Sequence, residues 1–263
     1  MNYETEKISE NSMILLIDIA DNKKQYLIPI SLGKFSTKWG QIDLTELIGR
    51  NFGTLIESHL GRSYAAVRPT FYDKIMQGIK RRTQIVYPKD SGYIALWLGL
   101  RNGMKVFECG TGSGAMTSII ANSVAPDGVV ITYERDEKFF ELAKANIEKL
   151  GFSKNVKIFN RELDDGIDDA PYDAMFIDVR EPWEYIAHIW SALGGGAPIA
   201  FVLPTTNQVS MLLESLKNSN KFIDIQVAET LLRFYKPVPA RLRPDDRMLA
   251  HTTYMIMARK IFS

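Results

Sequence analysis

Cysteine and histidine are scarce in this 263-residue chain, which carries one Cys, Cys109, and three His. A single thiol cannot close an intrachain disulfide, and three scattered histidines beside it give no metal-ligand spacing. Cys109 ends an apolar run and reads as a small buried residue, with a reactive thiol as the alternative. Long apolar runs are missing as well: none approaches the roughly 20 residues that a membrane helix needs. The N-terminus, Met-Asn-Tyr-Glu-Thr-Glu, lacks the basic-then-apolar order of an export signal, so a cytoplasmic protein is expected. Net charge is small too. A formal +1 says little by itself, but the charge is unevenly spread.

From Gly61 to Lys105 the chain holds Arg62, Arg68, Lys74, Lys80, Arg81, Arg82, Lys89, Arg101 and Lys105 against only Asp73 and Asp90. A second basic stretch, Arg233 to Arg247, adds Lys236, Arg241 and Arg243 against Asp245 and Asp246. Two such stretches can meet as one surface for a polyanion, or each can be a solvated face. The length allows a sizeable core, in one large domain or one large and one small.

The stretch around which the chain is organised is Lys105-Val-Phe-Glu-Cys-Gly-Thr-Gly-Ser-Gly114. An apolar run ends at Glu108, and three glycines at alternate positions, Gly110, Gly112 and Gly114, lead into a helix-like segment. That is a strand, a tight turn and a helix start, a place where a nucleotide-like ligand can lie against bare main chain. The spacing G-x-G-x-G, with an acid two places before it, differs from the G-x-G-x-x-G of dinucleotide sites. A carboxylate there would repel a pyrophosphate but can hold a cationic ligand. A second strand-like run, Val129 to Glu134, ends in an acid at about the distance where nucleotide-binding α/β folds place a ribose-binding carboxylate. Glu134 is the ribose candidate, while Asp136 is the better N-cap for a helix to Leu150, stopped by Gly151.

Taken in order, residues 1–68 predict a small β domain, with strand-like runs at Ser12 to Ile19, Gln25 to Ile30, Gly40 to Leu44 and Ser63 to Val67. Helical turns are expected at Leu44 to Ile48 or Thr54 to Ser58. Residues 69–104 read as a linker and helical lead-in, with helices at Thr70 to Ile79 and Ser91 to Leu100. Residues 105–263 alternate: strands at 105–109, 129–134, 156–160, 174–179 and 198–203, and helices at 114–123, 137–150, 183–193 and 206–217. The period predicts an α/β parallel sheet. Two last strands, 222–231 and 251–260, have no helix between them and should pair antiparallel. The Pro- and Arg-rich connection from Leu232 to Ala250 is long enough to be functional.

Several separated blocks carry a resemblance: Gly49-Arg-Asn-Phe-Gly53, Arg82-Thr-Gln-Ile-Val-Tyr-Pro-Lys-Asp90, the Glu108 to Gly114 loop, Asp178-Val-Arg-Glu-Pro-Trp183, Arg243-Pro and His251-Thr-Thr-Tyr254. Across nearly the whole chain these resemble the tRNA (adenine-58-N1)-methyltransferases of the archaeal and bacterial type. The resemblance implies a Rossmann-like class I methyltransferase sheet with a small N-terminal β-barrel-like domain, S-adenosylmethionine as cofactor, tRNA as substrate, and a homotetramer. Carried over residue by residue, it implies a cofactor site of Gln84, Glu108, Gly110, Thr111, Gly112, Ser113, Gly114, Glu134 and Asp178. Glu162 stands where the family commonly has Asp to meet the cofactor adenine, and Asp164 and Asp165 are rivals.

Asp178 also matches the family's active-site aspartate. It ends the apolar run Ala174 to Ile177, where open α/β sheets place ligands, or it caps the helix that follows. Tyr87 either stacks on the target adenine or is a core tyrosine. Arg81, Arg82, Arg241 and Arg243 are the RNA-binding candidates, and His251 either joins them or pairs within the last strand. The implied reaction is methylation of adenine N1 at position 58, with no metal required. Two other readings remain open: a same-fold methyltransferase acting on protein isoaspartate or a small molecule, and a non-catalytic tRNA-binding subunit. The first would not need the basic stretches, and an intact glycine loop with Asp178 speaks against the second.

Overall fold

The computed structural model describes residues 6–82 and 84–262; Thr83, inside the Arg82 to Asp90 block, and most of the N-terminal run Met-Asn-Tyr-Glu-Thr-Glu lie outside them. The chain divides into two compact units, Met1–Ile79 and Lys80–Ser263.

The first unit is antiparallel. Strands β1 (Met13–Asp18), β2 (Gln25–Pro29), β5 (Thr54–Glu57) and β6 (Ser63–Val67) form a sheet in the order β2-β1-β6-β5, and β3 (Lys34–Thr37) pairs β4 (Gly40–Asp43) as a separate hairpin. Ile14, Leu16, Ile56 and Tyr64 from the sheet bury against Ile42 and Leu44 from the hairpin region. Two ladders therefore wrap one core, which is the barrel-like packing expected.

The helical turn expected at Thr54 to Ser58 is instead β5, because only Ile56 of its apolar pair points inward while Leu55 is exposed, a period of two. The turn at Leu44–Leu47 does form, capped by Asp43 accepting from the Thr45 amide. Thr70 and Asp73 make a reciprocal cap that starts α1 (Phe71–Asp73), which continues as a wider turn over Lys74–Gly78.

In the second unit α2 (Pro88–Trp97) leads into β7 (Lys105–Cys109), α3 (Ala115–Val124), β8 (Val129–Glu134), α4 (Glu137–Lys149), β9 (Val156–Asn160) and β10 (Ala174–Ile177). A single turn, Pro182–Tyr185, and α5 (Ile186–Ala192) follow, then β11 (Pro198–Leu203), α6 (Thr206–Ser219) and β12 (Phe222–Ala228). The short pair β13 (Tyr235–Lys236) and β14 (Arg243–Pro244) precedes β15 (Tyr254–Lys260). Seven strands form one sheet, ordered β12-β15-β11-β10-β7-β8-β9, with β15 antiparallel to both neighbours as expected of the closing pair.

Alternate residues of the inner strands feed opposite faces. Phe107, Ile131, Met175 and Ile199 pack under α5 and α6, and Val106, Val130, Phe176 and Ala200 pack under α2 and α3. Burial on both faces explains why these strands read as unbroken apolar runs.

Four of the five parallel strands have the bounds expected. The fifth, β10, stops at Ile177 and not 179; the Asp178 amide still donates to the Cys109 carbonyl at 2.8 Å as the last rung of the ladder with β7. The helix expected at 183–193 begins as a tighter turn at Pro182. The closing strands are shorter than expected, leaving residues 229–231 and 251–253 as stems of the long connection.

Candidate cofactor and substrate site

Strand β7 lies between β10 and β8, so the connections leaving its neighbours run in opposite directions and open a crevice at the strands' C-terminal ends. A cavity of about 600 Å³ fills that crevice. Its wall is drawn from the residues just past four strand ends: Cys109 to Ser113, Glu134 to Asp136, Arg161 to Leu163 and Asp178 to Glu181. Gln84, Ile85 and Val86 close another side.

The glycine loop is built for close approach. Gly110 has φ of 92°, and its amide donates to the Tyr133 carbonyl. Glu134, 8% exposed, accepts the Gly112 amide at 2.8 Å and the Asp136 amide at 3.0 Å, one on each oxygen. Each oxygen keeps a lone pair for a ligand hydroxyl. Asp136 then caps α4 by accepting from the Lys138 and Phe139 amides. Behind the loop, the buried Asn146 donates to the Ser113 and Lys80 carbonyls and accepts the Lys80 amide, which ties the loop to the segment that begins the second unit.

Two carboxyls are perturbed. Asp178 is surrounded by protein yet open to solvent through the cavity, and desolvation followed by the nearby Glu134 charge pushes its pKa up to about 7. Water in the open cavity opposes that shift, so the raised value applies most fully when a ligand displaces it. Glu108 is fully buried beneath the loop, where desolvation raises its pKa to about 8 although Thr117 donates to Oε2 at 2.5 Å; its Oε1 has no partner. Cys109 is buried, and desolvation holds its thiol well above the ordinary range, which favours the packing reading over the reactive one.

Of the residues singled out from sequence, Gln84, Gly110, Thr111, Gly112, Ser113, Glu134, Glu162 and Asp178 line the cavity together. Glu108 does not: it underlies the loop and, largely neutral at pH 7, is no direct anchor for a cation. Gly114 faces away, capping α3 in the left-handed conformation, where a Cβ would crowd Ala143 on α4 at 3.4 Å. Tyr87 is the N-cap residue of α2 and donates to Gln84 Oε1 at 3.1 Å, one step removed from the cavity wall. Asp164 and Asp165 also lie outside the wall; Asp164 faces Tyr185 and Asp165 faces Arg161, which leaves Glu162 as the acid on that side.

Asp178 caps no helix, since Glu181 occupies the position before Pro182. Both ring nitrogens of His251 are engaged, with Glu229 at 2.7 Å and the Pro204 carbonyl at 3.1 Å; His251 precedes β15, and these partners follow β12 and β11 and do not lie within the last strand. The hydrogen bond with Glu229, then that with the Pro204 carbonyl, raises the pKa of the ring. Arg82, Arg241 and Arg243 are exposed, outside the cavity.

Sequence reading missed Arg135, Arg161, Arg180, Phe139 and Tyr185 in the wall. The first three each follow a strand end by one to three residues, and that rule alone would have found them.

A family model described as the GCD14 subunit of the tRNA methyltransferase complex matches residues 73–254. The tRNA (adenine(57)-N(1)/adenine(58)-N(1))-methyltransferase TrmI of Methanocaldococcus jannaschii is 32% identical over 93% of this chain and 94% of its own length. Among solved structures, the tRNA (m1A58) methyltransferase TrmI of Aquifex aeolicus superposes with TM-score 0.86 at 38% identity, over 98% of this chain and 100% of that one. A Thermotoga maritima protein described as a SAM-dependent O-methyltransferase superposes with TM-score 0.92 at 41% identity, over 99% and 97%. With the family model spanning most of the sequence and the fold and crevice agreeing with it, the chain belongs to the GCD14 family of tRNA methyltransferases.

Proposed function

We propose that this protein methylates N1 of adenine 58 in tRNA with S-adenosylmethionine. The observation that carries the reading is the position of Asp178: an ionisable carboxyl at the end of β10, in the same cavity as the glycine loop and Glu134. The residues present suit the cofactor. Glu134 can accept the ribose hydroxyls and Glu162 the adenine amino group, both being in the cavity wall beside the glycine loop. When bound, the cofactor supplies an electrophilic methyl group on a sulfonium.

Adenine N1 is a weak nucleophile while N6 keeps both hydrogens. Asp178, ionised, accepts from N6, raises electron density at N1, and takes the N6 proton once N1 has gained the methyl group; the methyl–sulfur bond breaks and S-adenosylhomocysteine leaves. A base of this kind contributes ~10²–10⁴-fold, and holding the two reactants in line adds more. Displacing water from around Asp178 strengthens its pull on N6.

The exposed arginines suit a phosphate backbone, and an adenine drawn out of the tRNA elbow needs such a grip. The homotetramer and the cytoplasmic setting are carried with this reading. The exposed apolar side chains Leu231, Leu232, Phe234 and Leu242, and the exposed edge of β12 at Ile223 and Val227, support self-association.

Incubating the pure protein with labelled cofactor and unmodified tRNA, then analysing nucleosides, tests the reading. The expected product is 1-methyladenosine. An O-methylated product, in line with the Thermotoga description, or no transfer at all, would overturn it.

A further inference from the structure

The most heavily buried ion pair among the described residues of the second unit lies outside the cavity. The Lys89 side chain is 6% exposed and that of Asp90 not at all, both in the first turn of α2. The Lys89 ammonium spends its three hydrogens on the Asp90 carboxylate at 2.9 Å, the Thr230 carbonyl at 2.9 Å and the Thr252 hydroxyl at 2.6 Å. Asp90 in turn accepts from the Thr230 hydroxyl at 2.5 Å and the Thr252 hydroxyl at 2.7 Å.

Thr230 and Thr252 are the two stems of the connection between β12 and β15, which carries Arg233, Arg241, Arg243 and Arg247. One buried pair thus holds both ends of the arginine-bearing segment. The Glu229–His251 pair closes the same stems from outside.

Burying a lysine and an aspartate costs several kcal/mol per ion before their attraction is counted, and apolar residues of similar volume commonly do as well for stability. What apolar residues would not do is fix direction: four hydrogen bonds with set partners hold two chain stems in one register. The pair also sits just beyond Tyr87, on the helix whose leading segment, Gln84 to Val86, is cavity wall. The segment itself cannot locate its arginines by core packing, because Leu231, Leu232, Phe234, Tyr235, Leu242 and Leu249 are all exposed.

We propose that Lys89 and Asp90 are positioning residues that pin the 229–253 segment to the start of α2 and so set where its arginines stand relative to the cavity. The inference rests on the tRNA reading for its purpose, and on the geometry alone for the anchoring.

Changing Lys89 or Asp90 would strand its buried partner and risk unfolding, so the test acts on the threonines. Thr230→Val/Thr252→Val removes both hydroxyls at constant shape and leaves Lys89 paired with Asp90; Thr230→Ser/Thr252→Ser keeps the hydroxyls. Three quantities are read on the full chain: trypsin cleavage within 233–247 under native conditions, the dissociation constant of S-adenosylhomocysteine, and KM and kcat with tRNA. In the valine variant, cleavage within the segment should rise about tenfold or more, since hydrogen bonds to a charged group are lost from its stems. KM for tRNA should rise while cofactor affinity stays within about twofold, and the serine variant should restore both.

Parental cleavage and KM in the valine variant would overturn the proposal. So would cleavage spread along the chain with cofactor binding lost, which marks a purely structural cluster. Should the valine pair not fold, Thr252→Val alone is read the same way. If the parental protein does not methylate tRNA, the functional reading fails while the cleavage arm still decides whether the segment is anchored.

Discussion

A Cβ placed on Gly110 would lie 2.7 Å from the carbonyl carbon of Asp178, with the carbonyl oxygen nearer still. The first glycine of the loop and the candidate base therefore share one packing constraint. Only a residue without a side chain lets β7 and β10 release their loops in contact, and that contact places the Asp178 carboxyl over the cavity floor.

Gly110→Ala should therefore act on both functions at once. The backbone carbonyl cannot yield as a flexible side chain would, and φ of 92° is itself unfavourable for alanine. Overpacking of this kind costs about 1–3 kcal/mol. The expected result is a lower melting temperature together with weaker S-adenosylhomocysteine binding by calorimetry; parental affinity would show that the contact is not needed to shape the site.

The two carboxyls near the loop should respond in opposite ways. Glu108 is buried, largely neutral at pH 7 and outside the cavity, so Glu108→Gln should keep cofactor affinity within about threefold, having lost no charge that the ligand meets. Glu134 holds two backbone amides and faces the cavity. Glu134→Ala should weaken S-adenosylhomocysteine binding by about tenfold or more, since hydrogen bonds to a charged acceptor contribute roughly 1.5–3 kcal/mol. Equal losses in both variants, measured by calorimetry, would contradict the division of roles.

Charge reversal at Arg81 and Arg82, or at Arg241 and Arg243, should weaken tRNA binding and flatten its salt dependence while leaving cofactor affinity unchanged. Each phosphate contact removed lowers the slope of log K against log salt by about 0.9 on a duplex or 0.7 on a single strand. Binding titrations at several salt concentrations read this directly, and parental slopes in both variants would move the RNA surface elsewhere.

Much of the sheet was legible because its strands are buried on both faces and bounded by glycine and acid, as at Lys105–Cys109 and Val129–Glu134. The acids at strand ends were legible for the same reason. What sequence could not supply was position to within a residue: Glu134 ends its strand and faces the cavity, but Glu108 lies one residue inside its own, under the loop, where Thr117 of α3 takes it up. Gly114 likewise belongs to helix packing, not to the ligand. The threonine clamp was invisible because it joins positions more than 130 residues apart, 89 and 90 with 230 and 252, through hydroxyls that carry no pattern along the chain. In the first unit, Thr54 to Ser58 misled because an isolated five-residue run fits either period until its neighbours are known.

The decisive residue for the proposed chemistry is Asp178, and its pKa of about 7 gives the test two signatures. A base must be ionised, so single-turnover methyl transfer should rise with pH through about 7 and level off above it. Stability runs the other way. The folded-state pKa is raised above the ordinary 3.8 of an aspartate, so the native protein binds this proton more tightly than the unfolded chain, and ionisation destabilises the fold as pH rises above about 4, a cost that water in the open cavity reduces in the unliganded protein. Asp178→Asn removes the charge at nearly constant shape. At pH 8 it should melt no lower than the parent and bind S-adenosylhomocysteine and tRNA within a few-fold. Single-turnover transfer should nevertheless fall by about 10²-fold or more and lose its rise near pH 7, because the missing interaction is made mainly in the transition state. Transfer at near-parental rate with the pH profile intact would assign the base to another group; a large drop in melting temperature would mark Asp178 as a structural residue instead.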